Sequence, residues 1–389
     1  MYHLRRLSAL ALSLAIILVL LSPITTAAAA QEDNMPLALS SVSALLMEKE
    51  TGTVLLQQNA HQKLEPASVT KIMTLLLVME AVDSGRLSLE ELVPVSAHAA
   101  GMGGSQVYLK EGEQLSVSDL IKCVAVVSGN DCAVALAERL AGSESAFVEQ
   151  MNQKAQALGM ADTHFVNCTG LPAPGHLTSA YDIALMSREL ILHHPDIQQY
   201  TTIWTDSIRN GAFGLTNTNR LVRFYDGATG LKTGFTTSAQ YCMSATAQRN
   251  GMELIAVVMK APTTAQRFQD ASSLLDYGFA NYALLTLQPE SPLAPMDVLL
   301  GQSKTVQPQL QRECHLLVEK AQAGQVTTRL VLAENVHAPV DPGQTLGEFR
   351  VYVGDELRGS VPIVAAQGVD RLSVPGLFSQ LFRRLLFAG

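Results

Sequence analysis

The residues best suited to chemistry in this sequence are a serine and a lysine three positions apart, Ser68 and Lys71, in the run Pro66-Ala67-Ser68-Val69-Thr70-Lys71. The segment from Val69 to Val82 is apolar nearly all round, which predicts a helix buried in a core with Ser68 at or near its start. Lys71 then lies one turn on and faces the same way. A serine hydroxyl is a poor nucleophile until a base takes its proton, and lysine serves as that base only when neutral. Burial beside a second cation lowers an ammonium pKa in that direction, and the N–H groups of a helix start favour negative charge developing nearby. Alone, Ser-x-x-Lys is expected about once by chance in a chain of this size, and the bland reading is an ordinary N-terminal serine with a snorkelling lysine.

Two further clusters change that weighting. Ser128-Gly129-Asn130 falls between two apolar helical patterns within Val117 to Ala141, which predicts a tight turn presenting Ser128 and Asn130 into a cleft. Lys232-Thr233-Gly234 opens a strand after Gly227-Ala228-Thr229-Gly230, so its side chains project along a sheet edge whose backbone stays open to a ligand. Each taken singly reads as ordinary turn or strand-start chemistry; their order and context together do not. Arg267, at the start of the last predicted helix, is a candidate to hold a carboxylate bidentately, against the plainer reading of a surface arginine near a helix end. His61, His98 and His176 show no spacing that makes a Ser-His-Asp triad or a zinc site, and are read as structural or exposed.

The elements that must position these residues follow from periodicity. Ser43 to Leu56 reads as a hairpin around Glu50-Thr51-Gly52, and helical patterns occupy Glu144 to Leu158 and Asp182 to His193. Tyr241 to Gln248 and Met252 to Lys260 form a second hairpin through Arg249-Asn250-Gly251, followed by a helix from Thr264 to Ala283. Strands at both ends with helices between them predict an α+β domain built on one antiparallel sheet. Beyond Pro289, short strands with frequent turn residues predict a small all-β module without a catalytic cluster.

With 389 residues, 48% of them hydrophobic, the chain can bury a sizeable core. A formal charge of −8 and no basic cluster exclude a nucleic-acid partner. Arg5 and Arg6, the apolar run Leu7 to Leu21 and the small residues Ala27 to Ala30 have the layout of a secretory signal over residues 1–30, with a retained anchor as the competing reading. The five scattered cysteines read as small buried hydrophobes, not as a disulfide framework or a metal site. Residues 372–389 place Leu377, Phe378, Leu381, Phe382, Leu385 and Leu386 on one side and Arg383 and Arg384 on the other. That amphipathic helix is too short to span a bilayer and is expected to lie in its surface; the alternative is docking on its own protein.

The triple Ser68-x-x-Lys71, Ser128-x-Asn130 and Lys232-Thr233-Gly234 resembles the signature of penicillin-binding proteins and serine β-lactamases. The words around it, Glu65 to Thr74, Val127 to Asp131, Thr163 to Asn167 and Gly234-Phe235-Thr236, are similar to the low-molecular-mass D-alanyl-D-alanine carboxypeptidases. The resemblance covers essentially the whole mature chain. It implies a β-lactamase/transpeptidase-like catalytic domain over residues 31–287, a β domain over 288–371 and a membrane-associating helix over 372–389. It also implies an exported, cofactor-free hydrolase at the outer face of the cytoplasmic membrane, acting on peptidoglycan stem peptides and acylated by β-lactam antibiotics. Carried over by position, Ser68 is the nucleophile, Lys71 its base and Ser128 the proton relay to the departing D-alanine. Asn130 holds the substrate amide. Lys232 keeps the site electropositive and helps depress the Lys71 pKa, and Thr233, with Arg267, holds the terminal carboxylate. The N–H groups of Ser68 and Phe235 form the oxyanion hole. Ala239-Gln240 departs from the Ala-Gly frequent there in the family. A β-lactamase is the first alternative, disfavoured by the lack of a Glu-x-x-Leu-Asn segment between Ser128 and Lys232; a non-catalytic wall-binding protein of the same fold is the second.

Overall fold

Strand β1 (Ser43–Glu48) is buried at all six positions, and it pairs antiparallel with β2 (Val54–Gln58) across a turn in which Gly52 takes a φ of 69°. The computed structural model describes residues 36–376 and Phe378; the expected export signal and most of the expected tail helix lie outside them.

Helix α1 (Lys71–Asp83) is buried continuously from Lys71 to Met79, as a sequence apolar nearly all round requires. Helices α2 (Val117–Val126) and α3 (Asn130–Ala141) are separated at Val127-Ser128-Gly129, where Ser128 sits at φ 66°. Helices α4 (Glu144–Ala157) and α5 (Ala180–His193) begin at Ser143 and Ser179, whose hydroxyls accept the N–H of the residue three positions on.

Strands β3 (Ala228–Thr236), β4 (Gln240–Arg249) and β5 (Met252–Ala261) complete the sheet, in the order β2-β1-β5-β4-β3. The β4–β5 hairpin turns on Asn250 and Gly251 at φ 51° and 79°, the two positive angles that the Asn-Gly pair favours. Strand β5 is buried at nine of its ten positions because it lies mid-sheet with α5 and α6 (Thr264–Asn281) packed on it. Its sequence accordingly runs apolar without a break from Leu254 to Met259, with none of the alternation of a half-exposed strand. Strand β3 is left at the sheet edge, and it packs against the turn that carries Ser68.

Helix α6 ends at Asn281, two residues before the sequence pattern suggested. Residues 282–287, read from sequence as the end of the first domain, form β6 (Tyr282–Leu287), which pairs with β7 (Cys314–Glu319) farther along the chain. Strands β8 (Val326–Leu332), β9 (Thr345–Val353) and β10 (Glu356–Ala365) then join Pro308–Leu310 in a four-stranded antiparallel sheet over a small core of Phe349, Val351, Val361 and Ile363.

Candidate active site

Ser68 lies in a single 3-10 turn, Ala67–Thr70, and the α-helix proper begins at Lys71. Ser68 therefore sits in the turn just before the helix, and Ala67 takes a positive φ of 48° to turn the chain in. Lys71 is fully buried, and its Nζ lies 3.0 Å from Ser68 Oγ, 2.6 Å from Asn130 Oδ1 and 2.7 Å from the carbonyl oxygen of Thr169. Burial lowers its pKa to about 7; Cys168, Asp131 and Cys132 pull in the opposite direction. Near neutral pH a substantial share of Lys71 is thus the free amine, with a lone pair available to a hydroxyl at hydrogen-bond distance.

Asn130 is fixed on both ends of its amide. Oδ1 accepts from Lys71, while Nδ2 donates to Gly103 O at 2.7 Å and the backbone N–H donates to Ser105 O at 2.7 Å. Asn130 was expected to hold substrate; the structure shows that it also sets the lysine. Asp131 holds the same loop, accepting the N–H groups of Val107 and Leu109 at 3.0 and 3.1 Å. The Ser128 hydroxyl is buried and has no hydrogen-bond partner among the described residues. A buried hydroxyl left unpaired is uncommon and is more at home in a site that pairs it with a ligand.

The third motif lies on the edge strand. Gly234 approaches the nucleophile turn so closely that a Cβ there would stand 2.8 Å from Pro66 O and 3.0 Å from Ser68 N. Glycine is required for that approach. Lys232 is buried, and its Nζ donates to the Thr233 carbonyl at 3.0 Å. Burial first, then Lys71 and Arg267, push its pKa well below the ordinary lysine value. Burial is the largest cause of the lowered pKa of both amines, and the repulsion between Lys71 and Lys232, being mutual, disfavours charge on each. Thr233 Oγ1 donates to Thr218 Oγ1 at 2.7 Å, which brings Thr218 into the site. Arg267 is buried rather than superficial. It donates to Gly234 O at 3.3 Å, its Nε has no partner among the described residues, and burial lowers its pKa to about 10. The Phe235 side chain is exposed and stacks on Tyr241 at 4.5 Å between ring centroids.

Sequence reasoning missed the loop that supplies the Thr169 carbonyl. Asn167 Oδ1 accepts from Gly170 N at 2.7 Å and from Thr169 N at 3.2 Å, which folds the loop on itself. Gly170, at φ 82°, packs so tightly that a Cβ would overlap the Ala67 carbonyl. His176, assigned no role from sequence, accepts the Val166 N–H at Nδ1 (3.0 Å), so Nε2 carries the proton it donates to Thr70 Oγ1 at 2.8 Å. Burial first, then His164 and Lys71, lower its pKa to about 4, so it is a neutral strut between this loop and the nucleophile turn. The signal available was Asn167-Cys168-Thr169-Gly170 next to a matched word; a backbone ligand leaves no residue type to recognise.

Residues 26–263 match the family model described as D-alanyl-D-alanine carboxypeptidase, and residues 286–371 match the one described as penicillin-binding protein 5, C-terminal domain. The D-alanyl-D-alanine carboxypeptidase DacF of Bacillus subtilis is 39% identical over 86% of this chain and 87% of its own length. Among solved structures, penicillin-binding protein 5 of Haemophilus influenzae superposes with a TM-score of 0.75 at 30% identity, covering 86% of this chain and 99% of that one. Penicillin-binding protein D2 of Listeria monocytogenes, in an ampicillin-bound form, gives 0.58 at 36% identity over 62% of this chain and 98% of its own. The architecture is that of the penicillin-binding proteins: a transpeptidase-like α+β domain followed by an all-β one.

Proposed function

The chain belongs to the D-alanyl-D-alanine carboxypeptidase family of serine peptidases, and from that premise we propose how its own residues release the terminal D-alanine of a peptidoglycan stem peptide. The observation that carries the assignment is the buried amine of Lys71, near-neutral in pKa and 3.0 Å from the Ser68 hydroxyl. Lys71 Nζ takes the Ser68 proton as Oγ bonds to the carbonyl carbon between the two D-alanines. The oxyanion that forms is held by the N–H groups of Ser68 and Phe235, on the turn and the edge strand that Gly234 brings together. As the C–N bond breaks, the proton passes from Lys71 through the Ser128 hydroxyl to the departing amine, and D-alanine leaves. Thr233 and Arg267 hold its carboxylate, and Asn130 the peptide amide. Water then adds to the ester carbon and gives a proton to Lys71; as the C–Oγ bond breaks, Lys71 returns that proton to Ser68 Oγ and the shortened peptide leaves with its new carboxyl group.

A β-lactam carbonyl presents the same electrophile, so Ser68 acylates on it. The signal-like residues 1–30 support a site of action outside the cytoplasm, and the amphipathic residues 372–389 support one at a membrane surface. Fluorescent penicillin should label the mature protein once, on Ser68, and the protein should release D-alanine from a diacetyl-Lys-D-Ala-D-Ala peptide. Folded Ser68→Ala should do neither. Labelling that survives in Ser68→Ala puts the nucleophile elsewhere, and a folded wild type that neither labels nor hydrolyses leaves only a wall-binding role.

A further inference from the structure

We propose that Leu299 and Leu300, with Val374 and Phe378, form a lipid-facing patch on the β domain, a second foothold on the membrane beside the tail. The proposal rests on the reading that residues 372–389 bind a membrane surface. Leu299 is 46% exposed, Leu300 51%, and Val374 and Phe378 70% each. Residues 370–372 are tied to the leucine turn, and Val374 and Phe378 follow two and six residues on: Leu372 N donates to Leu300 O at 2.7 Å, Gln302 N donates to Asp370 O at 2.8 Å, and Gly301 bridges Arg371 antiparallel.

The turn that carries the leucines is an odd place for them. Leu300 stands at φ 60°, a left-handed angle that Gly or Asn adopts more cheaply, and a water-facing turn ordinarily uses those residues. Nothing in the backbone requires leucine, since the carbonyls of Leu299 and Leu300 are already paired, with Ala338 N and Leu372 N. Apolar bulk at a solvated, conformationally unfavourable position marks a contact surface. The composition of the remaining chain sets the occupant. Residues 377–389 follow in sequence, would span about 20 Å as a helix, and carry seven large apolar residues with Arg383 and Arg384. A tail lying in an anionic lipid surface brings that surface to the Leu299–Leu300 turn, with Arg371 alongside to meet the headgroups.

The test is co-sedimentation of the mature chain with vesicles of mixed phosphatidylcholine and phosphatidylglycerol, comparing wild type, Leu299→Ser/Leu300→Ser, a chain ending at residue 376, and the combination. D-alanine release should be unchanged in all four and reports folding. Two half-exposed leucines entering the interface predict about tenfold weaker binding for the double substitution. If truncation abolishes binding while the double substitution leaves it unchanged, the tail reading stands and the patch is wrong. If truncation leaves binding intact, the tail reading fails, and the patch holds only if the combined variant then loses it. Stronger binding by the double variant means that the tail packs on these leucines, which overturns the proposal.

Discussion

Replacing Asn130 with Asp puts a carboxylate of the same shape 2.6 Å from the Lys71 amine, where an amide oxygen now stands. At that distance and an effective dielectric of about 20, the attraction for an ammonium is about 6 kcal/mol, a ceiling of roughly 4 to 5 pH units. Burying the new carboxylate takes back a large part, which leaves a rise of about 1 to 3 units in the Lys71 pKa. The wild type should acylate with a half-maximal rate near pH 7, falling about tenfold per unit below it, because only the free amine accepts the serine proton. In Asn130→Asp that acid limb should move up by the same 1 to 3 units, so that the rate at pH 7 drops about 5- to 500-fold and partly recovers at alkaline pH. The assay is the second-order rate constant for fluorescent penicillin between pH 5 and 10. Asn130 is also the residue proposed to hold the peptide amide, so the plateau should fall as well; the position of the limb is the readout. A lower plateau with an unmoved limb would show that Lys71 is not the titrating base, and the argument from its burial would fail.

Gly170→Ala should cost about 2 kcal/mol or more, because the residue is held at φ 82° against the Ala67 carbonyl; thermal unfolding should show a lowered midpoint, and penicillin labelling should fall with it. His176 holds a neutral ring at a pKa of about 4, while an unfolded chain titrates near 6.5, so the unfolded state binds the extra proton between those values. Stability should therefore be lost as pH falls from 6.5 toward 4, by about 3 kcal/mol from this group, and His176→Gln should flatten that part of the stability curve in chemical denaturation. An equal slope in both proteins would assign the acid sensitivity to other groups. Arg267→Ala should weaken D-alanine release about 10- to 100-fold, mainly through KM, because it removes a charge-assisted contact to the terminal carboxylate. Equal kinetics on a peptide with an amidated terminus would confirm what Arg267 recognises.

The parts of the fold that came through from sequence are those with a repeating local signature. The all-apolar run of α1, the Asn250-Gly251 hairpin and the interruption at Ser128-Gly129 each state their conformation within a dozen residues. The end of α6 did not, since Tyr282–Leu287 is apolar enough for either state and only pairing with Cys314–Glu319 decides it. In the site, Lys71 and Asn130 were legible as residue types at known spacings. Thr169 was not, because it acts through its carbonyl, and His176 was not, because its partner Thr70 lies 106 positions away and no local pattern connects them. The depth at which Lys232 lies was not legible for a related reason: a charge partner is visible in sequence, but how far each amine is removed from water is not.

Lys71 joins Ser68 to Asn130 and Thr169, which stand 59 and 98 residues beyond it along the chain. A polypeptide only partly folded lacks two of those three partners, and its amine, wetted by solvent, stays protonated. Its serine is inert for the same reason. Covalent uptake of a penicillin thereby becomes a direct count of molecules that have finished folding.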